Sequence, residues 1–553
     1  MDEKVVKYAD SFAFYEKLDN KKTKEGDTAE RIALWLNASK TVKDVRVYKK
    51  LATLYKSIGL NELAVKFWYT YLDKSVSKEA WSEAYVALGN NYYYLGNYKV
   101  ANYCFNKAFL LTGMLDPDTI DEEIMEYFIK PDPYENYKIA YPPEKVDYTT
   151  LLQEAKDNFL MGKVDEALSM YETVPEGSPF YAEARSEMAV AEFLRGETDK
   201  GIILARQAHK KDPKNVFALC NLSSMFFVKE DFVNSRKYYE LALSSITDDV
   251  DDMLKVAMAA CEQREHRTAI SILDKLLQIK PYDINFLYLM AVAHFNIGNL
   301  SMSRGLFFKA LSLKGRDPVL EHYIRIVDSA IDRGLDGKQN DLKYFFQLPE
   351  DEVKLKKAYI KELAETTENL LDKALKKKEY IDAIDWAFNY GDNETQKVCI
   401  YILASAKNKK YEQRLIDLLL EVHITDYIKR VIITVLVING CSRKIGMVVG
   451  NIYQKVKLVK LPEDLSDQFL FAFAGGVSVL APLGIEDFSK LKDGAIKLSE
   501  IIPNETIKKL PGNLTSAIMC VLAGYQKASN ISECAKIFHV EESAIKKYLG
   551  IKD

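Results

Sequence analysis

The chain has 553 residues, with 76 basic side chains against 80 acidic ones and a formal net charge of -4, so it carries no electrostatic footprint for whole-chain nucleic-acid binding. Hydrophobic residues at 48% and charged residues at 28% exclude a disordered chain. With 25 Gly and 15 Pro but 34 Tyr and 25 Phe, the composition favours helices packed through aromatic rings over a glycine-punctuated nucleotide-binding enzyme.

The opening Met1-Asp2-Glu3-Lys4 is charged and no apolar core follows it, so no signal peptide is expected. The first periodic segment begins near residue 45, with Leu51, Ala52, Tyr55, Gly59, Ala64 and Trp68. A second begins at 82, with Tyr85, Leu88, Gly89, Tyr92, Gly96, Tyr98, Ala101, Phe105 and Ala108. Pro131, Pro133, Pro142 and Pro143 then forbid a continuous helix, predicting a short helix around Glu122–Ile129 followed by an extended spacer arm.

From 148 the spacing becomes strict. Units begin at 148, 182, 216, 250 and 284, each 34 residues after the last. The eighth residue is always small (Ala155, Ala189, Ser223, Ala257, Ala291), as is the twentieth (Ala167, Gly201, Ser235, Ala269, Ser303). The twenty-seventh is apolar: Val174, Ala208, Ala242, Leu276 and Ala310. Pro179, Pro213 and Pro281 close units, and Pro318 follows the fifth. Two antiparallel helices of about 12 to 15 residues with two tight turns fill such a period. Small residues at the crossing let the backbones approach, and Gly162, Gly196 and Gly298 fall where the first helix ends and a cap wants positive φ.

These units resemble the tetratricopeptide repeat over about 45 to 117 and 148 to 318. The first unit departs at its twenty-seventh position, where Tyr71 replaces a small residue, and the sixth has Arg264 in place of the turn glycine. The resemblance implies an all-α fold, a right-handed α-α superhelix whose first helices line a concave binding face at the second, fifth, ninth and twelfth positions. On that face the first unit places the basic Arg46, Lys49 and Lys56, and the second Asn90 and Tyr93. Later units bring the aromatic run Phe159, Phe193, Phe227 and Phe295, together with Tyr288. An aromatic at the twelfth position serves equally as groove or as packing. The family's carboxylate clamp is not expected: Lys49 fits it, but Thr53 and Ala87 do not.

A helix at His322–Ala330 caps the array, and the loop GLDGKQND marks a boundary. Beyond it, segments 378–390, 394–407, 411–422 and 426–439 are similar to HEAT-type helix pairs, or more plainly continue the solenoid. Gly446 and Gly450 form a GxxxG, expected to serve close helix packing. The apolar stretch Phe469–Ile485 is broken by Gly475, Gly476, Pro482 and Gly484, so a buried helical hairpin is expected rather than a membrane span. The end of the chain resembles a helix-turn-helix, Ile531–Phe538 then Glu542–Leu549, with His539 at the usual glycine position. That resemblance implies DNA contacts at Ser543, Lys546 and Lys547. Glu541 and Glu542 open the candidate reading helix with the wrong sign for phosphates, which favours a structural tail.

The expected organisation is therefore N-terminal helices and two repeats in 1–117, an arm in 118–147, five repeats and a cap in 148–335, HEAT-like pairs in 351–460 and a compact helical tail in 465–553. No phosphate-binding glycine loop, GxSxG elbow or HExxH occurs, and the seven cysteines stand singly, so no catalytic residue, metal or cofactor is expected. The function expected is a cytoplasmic, non-enzymatic scaffold or adaptor that takes a partner peptide or helix in the concave face, with no membrane partner. The alternative is a repeat-containing transcriptional regulator whose helix-turn-helix contacts DNA.

Overall fold

The structure is a computed structural model that describes residues 11–23, 28–113, 119–121, 124, 148–160, 164–334, 341–525 and 530–551. The chain divides into two compact units, one from 1–127 with 347–553 and the other from 128–346. The helix expected at Glu122–Ile129 and the arm of 118–147 lie outside the described residues, apart from 119–121 and 124.

The second unit is a stack of helix pairs with the predicted period. Tyr148–Leu160 pairs with Val164–Glu172, Tyr181–Leu194 with Thr198–Lys211, and Val216–Val228 with Phe232–Ser245. Val250–Glu262 pairs with His266–Ile279 and Ile284–Asn296 with Leu300–Lys314, and Pro318–Asp332 packs on the last pair. The small eighth- and twentieth-position residues are buried at the crossings. A Cβ on Gly201 would stand 3.0 Å from the Ala189 carbonyl, so the helices there are as close as their backbones allow. Where both positions are serine, the crossing is fastened by exchange: Ser223 Oγ donates to the Ser235 carbonyl at 3.0 Å and Ser235 Oγ to that of Ser223 at 2.8 Å. Gly196 and Gly298 take positive φ at the turns; Glu230 and Arg264 adopt the same left-handed backbone in the third and fourth pairs at φ 60° and 57°.

The first unit opens with helices Phe12–Thr23 and Thr28–Thr41, around a fully buried Trp35. Two repeat-type pairs follow: Arg46–Ser57 with Asn61–Lys74, and Lys78–Tyr94 with Tyr98–Thr112. Gly89 is required at the second crossing, since a Cβ would meet the Phe105 ring at 2.7 Å. The later part of the unit carries helices Glu350–Glu365, Glu368–Ala374, Lys378–Tyr390, Asn393–Ser405, Lys409–Leu418 and Asp426–Ile438.

The GxxxG reading is overturned. Residues Lys444–Val449 and Ile452–Lys457 form an antiparallel hairpin, β1 and β2, paired from Lys444 with Lys457 to Val449 with Ile452. Gly450 and Asn451 make its two-residue turn with φ of 56° and 60°, a geometry that matches the right-handed twist of the strands. Gly446 thus packs a strand, and Gly450 turns it. The flanking residues Ile445, Met447, Val448, Ile452 and Val456 suit a pleated, half-buried surface better than a helix.

The hairpin lies on the N-terminal repeats of its own unit. Tyr453 donates its hydroxyl to Asp73 Oδ1 at 3.0 Å, and Lys455 Nζ reaches the Asp73 carbonyl at 3.3 Å. The Tyr69 hydroxyl donates to the Asn451 carbonyl at 2.5 Å and so receives the proton of the Tyr92 hydroxyl at 2.9 Å. Beside them Lys66 pairs with Glu421 at 2.9 Å. Burial opposes ionisation of Glu421, but Lys66 and His423 win and hold its carboxyl down at about 2. Lys429 is buried behind β1 and donates to the Val448 carbonyl at 2.6 Å; burial draws its ammonium down to about 8.

The apolar stretch becomes helix Asp467–Leu480, a single turn at Ala481–Leu483, and then helix Ser489–Ile501. Among the described residues no helix is long and apolar enough to cross a membrane. Helices Gly512–Ala523, Ile531–Phe538 and Glu542–Leu549 pack on one another at the end of the unit, with His539 left-handed at φ 52° in the turn.

Candidate functional site

The first helices of the two N-terminal pairs, Arg46–Ser57 and Lys78–Tyr94, line a cavity of about 710 Å3. Lys49, Thr53 and Lys56 come from one, and Glu79, Ser82, Glu83, Val86 and Asn90 from the other. Helix Asn61–Lys74 adds Trp68 and Tyr71. Of the residues expected from sequence, Lys49, Lys56 and Asn90 meet here. Arg46 and Tyr93 do not line the cavity: the Arg46 guanidinium sits 4.3 Å over the Phe12 ring, and Tyr93 packs edge-on against Tyr94 and Tyr98.

The expected basic face is neutralised in place. Arg46 binds Asp44 at 2.6 Å, Lys49 pairs with Glu83, and Lys56 pairs with Asp121 at 2.7 Å. Glu83 stands on the first helix of the next repeat and Asp121 beyond its second helix, so linear sequence does not display either pairing. Tyr71, the residue that broke the repeat pattern, donates its hydroxyl to Glu83 Oε2 at 3.2 Å. Its phenol pKa is raised, first by burial and then by the Glu83 charge. A small residue there would have left the wall open, so the departure was itself the available signal for this side of the cavity.

Two lining groups are left unmatched. Asn90 is 3% exposed; its Nδ2 donates to the Thr119 carbonyl at 3.0 Å, while its Oδ1 accepts nothing among the described residues. Trp68 is 5% exposed and its Nε1 donates to nothing among the described residues. A buried acceptor and a buried donor without partners each cost about 1–3 kcal/mol, and a native structure retains such groups where a water or ligand completes them. Both atoms are themselves covered, so they lie within the cavity wall rather than on its surface.

The twelfth-position aromatics of the second unit divide. Phe295 is buried, and Phe159 packs against the cluster of Leu152, Ala155 and Met188. Phe193 and Phe227 are half-buried, Phe227 edge-on to Phe232 at 5.5 Å. Beside that row the Lys255 ammonium lies 4.3 Å over the Phe217 ring. Tyr288 is buried beneath residues 343–346 of its own unit.

In the tail, Ser543 and Lys547 are exposed and Lys546 is half-buried, on a helix whose first turn also exposes Glu541 and Glu542. Among the described residues no cluster of His, Cys, Asp or Glu could hold a metal ion.

No family model and no curated protein matches the sequence. Solved structures do match. A human IFIT1 dimer with PPP-AAAA is similar at 15% identity, over 73% of this chain and 91% of that one, with a TM-score of 0.30. The P58(IPK) TPR domain is 15% identical over 59% and 99%, with a TM-score of 0.22. The TPR2AB domain of yeast Sti1 in complex with pHSP90 is 13% identical over 59% and 97%, with a TM-score of 0.17.

Proposed function

We propose that the chain is a cytoplasmic, non-enzymatic scaffold or adaptor, and that the cavity between helices Arg46–Ser57 and Lys78–Tyr94 receives an extended segment of a partner protein. The observation that carries this reading is the cavity itself, walled by Trp68, Tyr71 and Asn90 and presenting Lys49, Lys56, Glu79 and Glu83 of both signs. Because the lysines already hold acidic partners, the site suits a peptide of mixed charge that exchanges into those pairs rather than a purely acidic one.

Selection of a displayed library of unstructured peptides on the full chain tests this. The expected result is an enriched sequence pattern whose affinity falls by about tenfold with Asn90→Ala, the loss of one well-placed hydrogen bond in a desolvated site. An enriched peptide indifferent to both Asn90→Ala and Trp68→Phe would move the site elsewhere, and no enrichment would end the reading. The regulator alternative is supported by the three packed helices of the tail, and opposed by Glu541 and Glu542 on its exposed first turn.

A further inference from the structure

Residues Asp341-Leu342-Lys343-Tyr344-Phe345-Phe346 belong to the second unit and run without helix or strand along helix Ile284–Asn296. Their burial alternates. Leu342, Tyr344 and Phe346 are half-buried; Asp341, Lys343 and Phe345 are exposed, Phe345 by 60%. A period of two is that of a peptide lying on a surface with every second side chain turned inward, here with bends at Tyr344 and Phe346.

The surface reads the backbone of this segment through side chains. Asn296 Oδ1 accepts from the Leu342 N–H at 2.7 Å and Asn296 Nδ2 donates to the Leu342 carbonyl at 3.0 Å. The Tyr288 hydroxyl donates to the Phe345 carbonyl at 2.6 Å. Two inward side chains are read as well. The Tyr344 hydroxyl meets His266 Nδ1 at 2.7 Å, and the Phe346 ring stands edge-on to Tyr288 at 4.7 Å. Tyr288 is the fifth-position residue of its repeat.

A backbone held by one asparagine amide and one phenol would be held equally in another chain, because neither contact depends on the residue type it grips. Leu342, Tyr344 and Phe346 are half-buried, and a peptide of the same pattern would cover the same surface on replacing them. We propose that residues 341–346 are a built-in, displaceable occupant of this groove, and that its external ligand is an unstructured peptide repeating the inward pattern of aliphatic, any residue, tyrosine, any residue, aromatic. This site lies in the other compact unit from the Asn90 cavity and stands independently of it. Tethering gives the internal segment a high effective concentration, so an external peptide competes poorly until the segment is weakened.

A fluorescein-labelled synthetic peptide with the sequence of residues 340–347 is titrated into the full chain and followed by anisotropy. The Tyr344→Ala/Phe346→Ala chain is expected to bind it at least about tenfold more tightly than wild type. Adding Asn296→Ala should remove that gain, and adding Asn90→Ala should leave it. Equal affinity for wild type and the segment variant, or a gain that survives Asn296→Ala, overturns the proposal. Hydrogen exchange on wild type keeps the test open if the variants misfold. The Leu342 amide should exchange faster than the amides of helix Ile284–Asn296, and faster again with excess unlabelled peptide. If it exchanges only when that helix does, the segment is a fixed part of the fold and the proposal falls.

Discussion

Tyr453 and Asp73 are joined by a hydroxyl-to-carboxylate hydrogen bond of 3.0 Å that ties the hairpin to the second helix of the first repeat. Burial, and then the Asp73 charge, raise the Tyr453 phenol well above its ordinary range, so the tyrosine stays a donor at any physiological pH. Gly446 makes the approach possible, because a Cβ there would fall 2.1 Å from Asp73 Oδ1. Tyr453→Phe should cost about 1.5–3 kcal/mol, the worth of a hydrogen bond to a charged group. Gly446→Ala should cost about 1–3 kcal/mol by overpacking. Denaturant unfolding followed by helical circular dichroism checks both, and a Gly446→Ala chain as stable as wild type would mean that the strand does not approach Asp73 this closely.

Glu230 ends its helix at φ 60° where the preceding repeat uses Gly196 and the following one Arg264. An L-residue in the left-handed region costs about 1–2 kcal/mol, part of which glycine returns as unfolded-state entropy. Glu230→Gly is therefore expected to stabilise the second unit by about 0.5–1 kcal/mol, read as a rise in its thermal midpoint.

His266 and His294 are both pulled below the ordinary histidine value of 6.5, in each case first by burial. At His266, Asp341 and Glu265 oppose the shift and Arg264 adds to it. The unfolded chain therefore takes up protons at higher pH than the folded one. The stability these residues contribute is complete above 6.5 and is lost as pH falls through and below that value. Melting of the full chain at about pH 7.5 and about pH 5.5 should show the repeat block weakening at the lower pH, and His294→Leu should flatten the difference.

The helix-turn-helix at the end of the chain has lysines at 546 and 547 but opens on two exposed glutamates. Mixed-sequence duplex DNA titrated with the full chain at about 50 and about 200 mM salt should show no salt-dependent binding. A steep salt slope abolished by Lys546→Glu/Lys547→Glu would instead support the regulator reading.

The repeat block was legible because its signal is steric. Residues such as Ala189 and Gly201 are small for a reason that recurs every turn of the stack, and spacing alone exposes it. The hairpin was not, because Gly446 and Gly450 also satisfy a helix-packing spacing; the pairing of two positive-φ residues, Gly450-Asn451, decides between them. At the candidate site, Lys49, Lys56 and Asn90 followed from repeat position. Their acidic partners Glu83 and Asp121 did not, since these lie 34 and 65 residues away along the chain. The docking of 341–346 left no trace in composition, for Asn296 grips backbone atoms that every residue possesses.

The clasp between Tyr69 and Asn451 spans 382 residues. During synthesis at about 5–20 residues per second, the N-terminal repeats leave the ribosome roughly 20–80 s before the hairpin that covers them exists. Over that interval the whole intervening helix stack is made and has time to fold, while Lys66, Tyr69 and Asp73 wait uncovered. The first unit to begin is thus the last to close, and a nascent chain halted before residue 450 should be the species that chaperones hold.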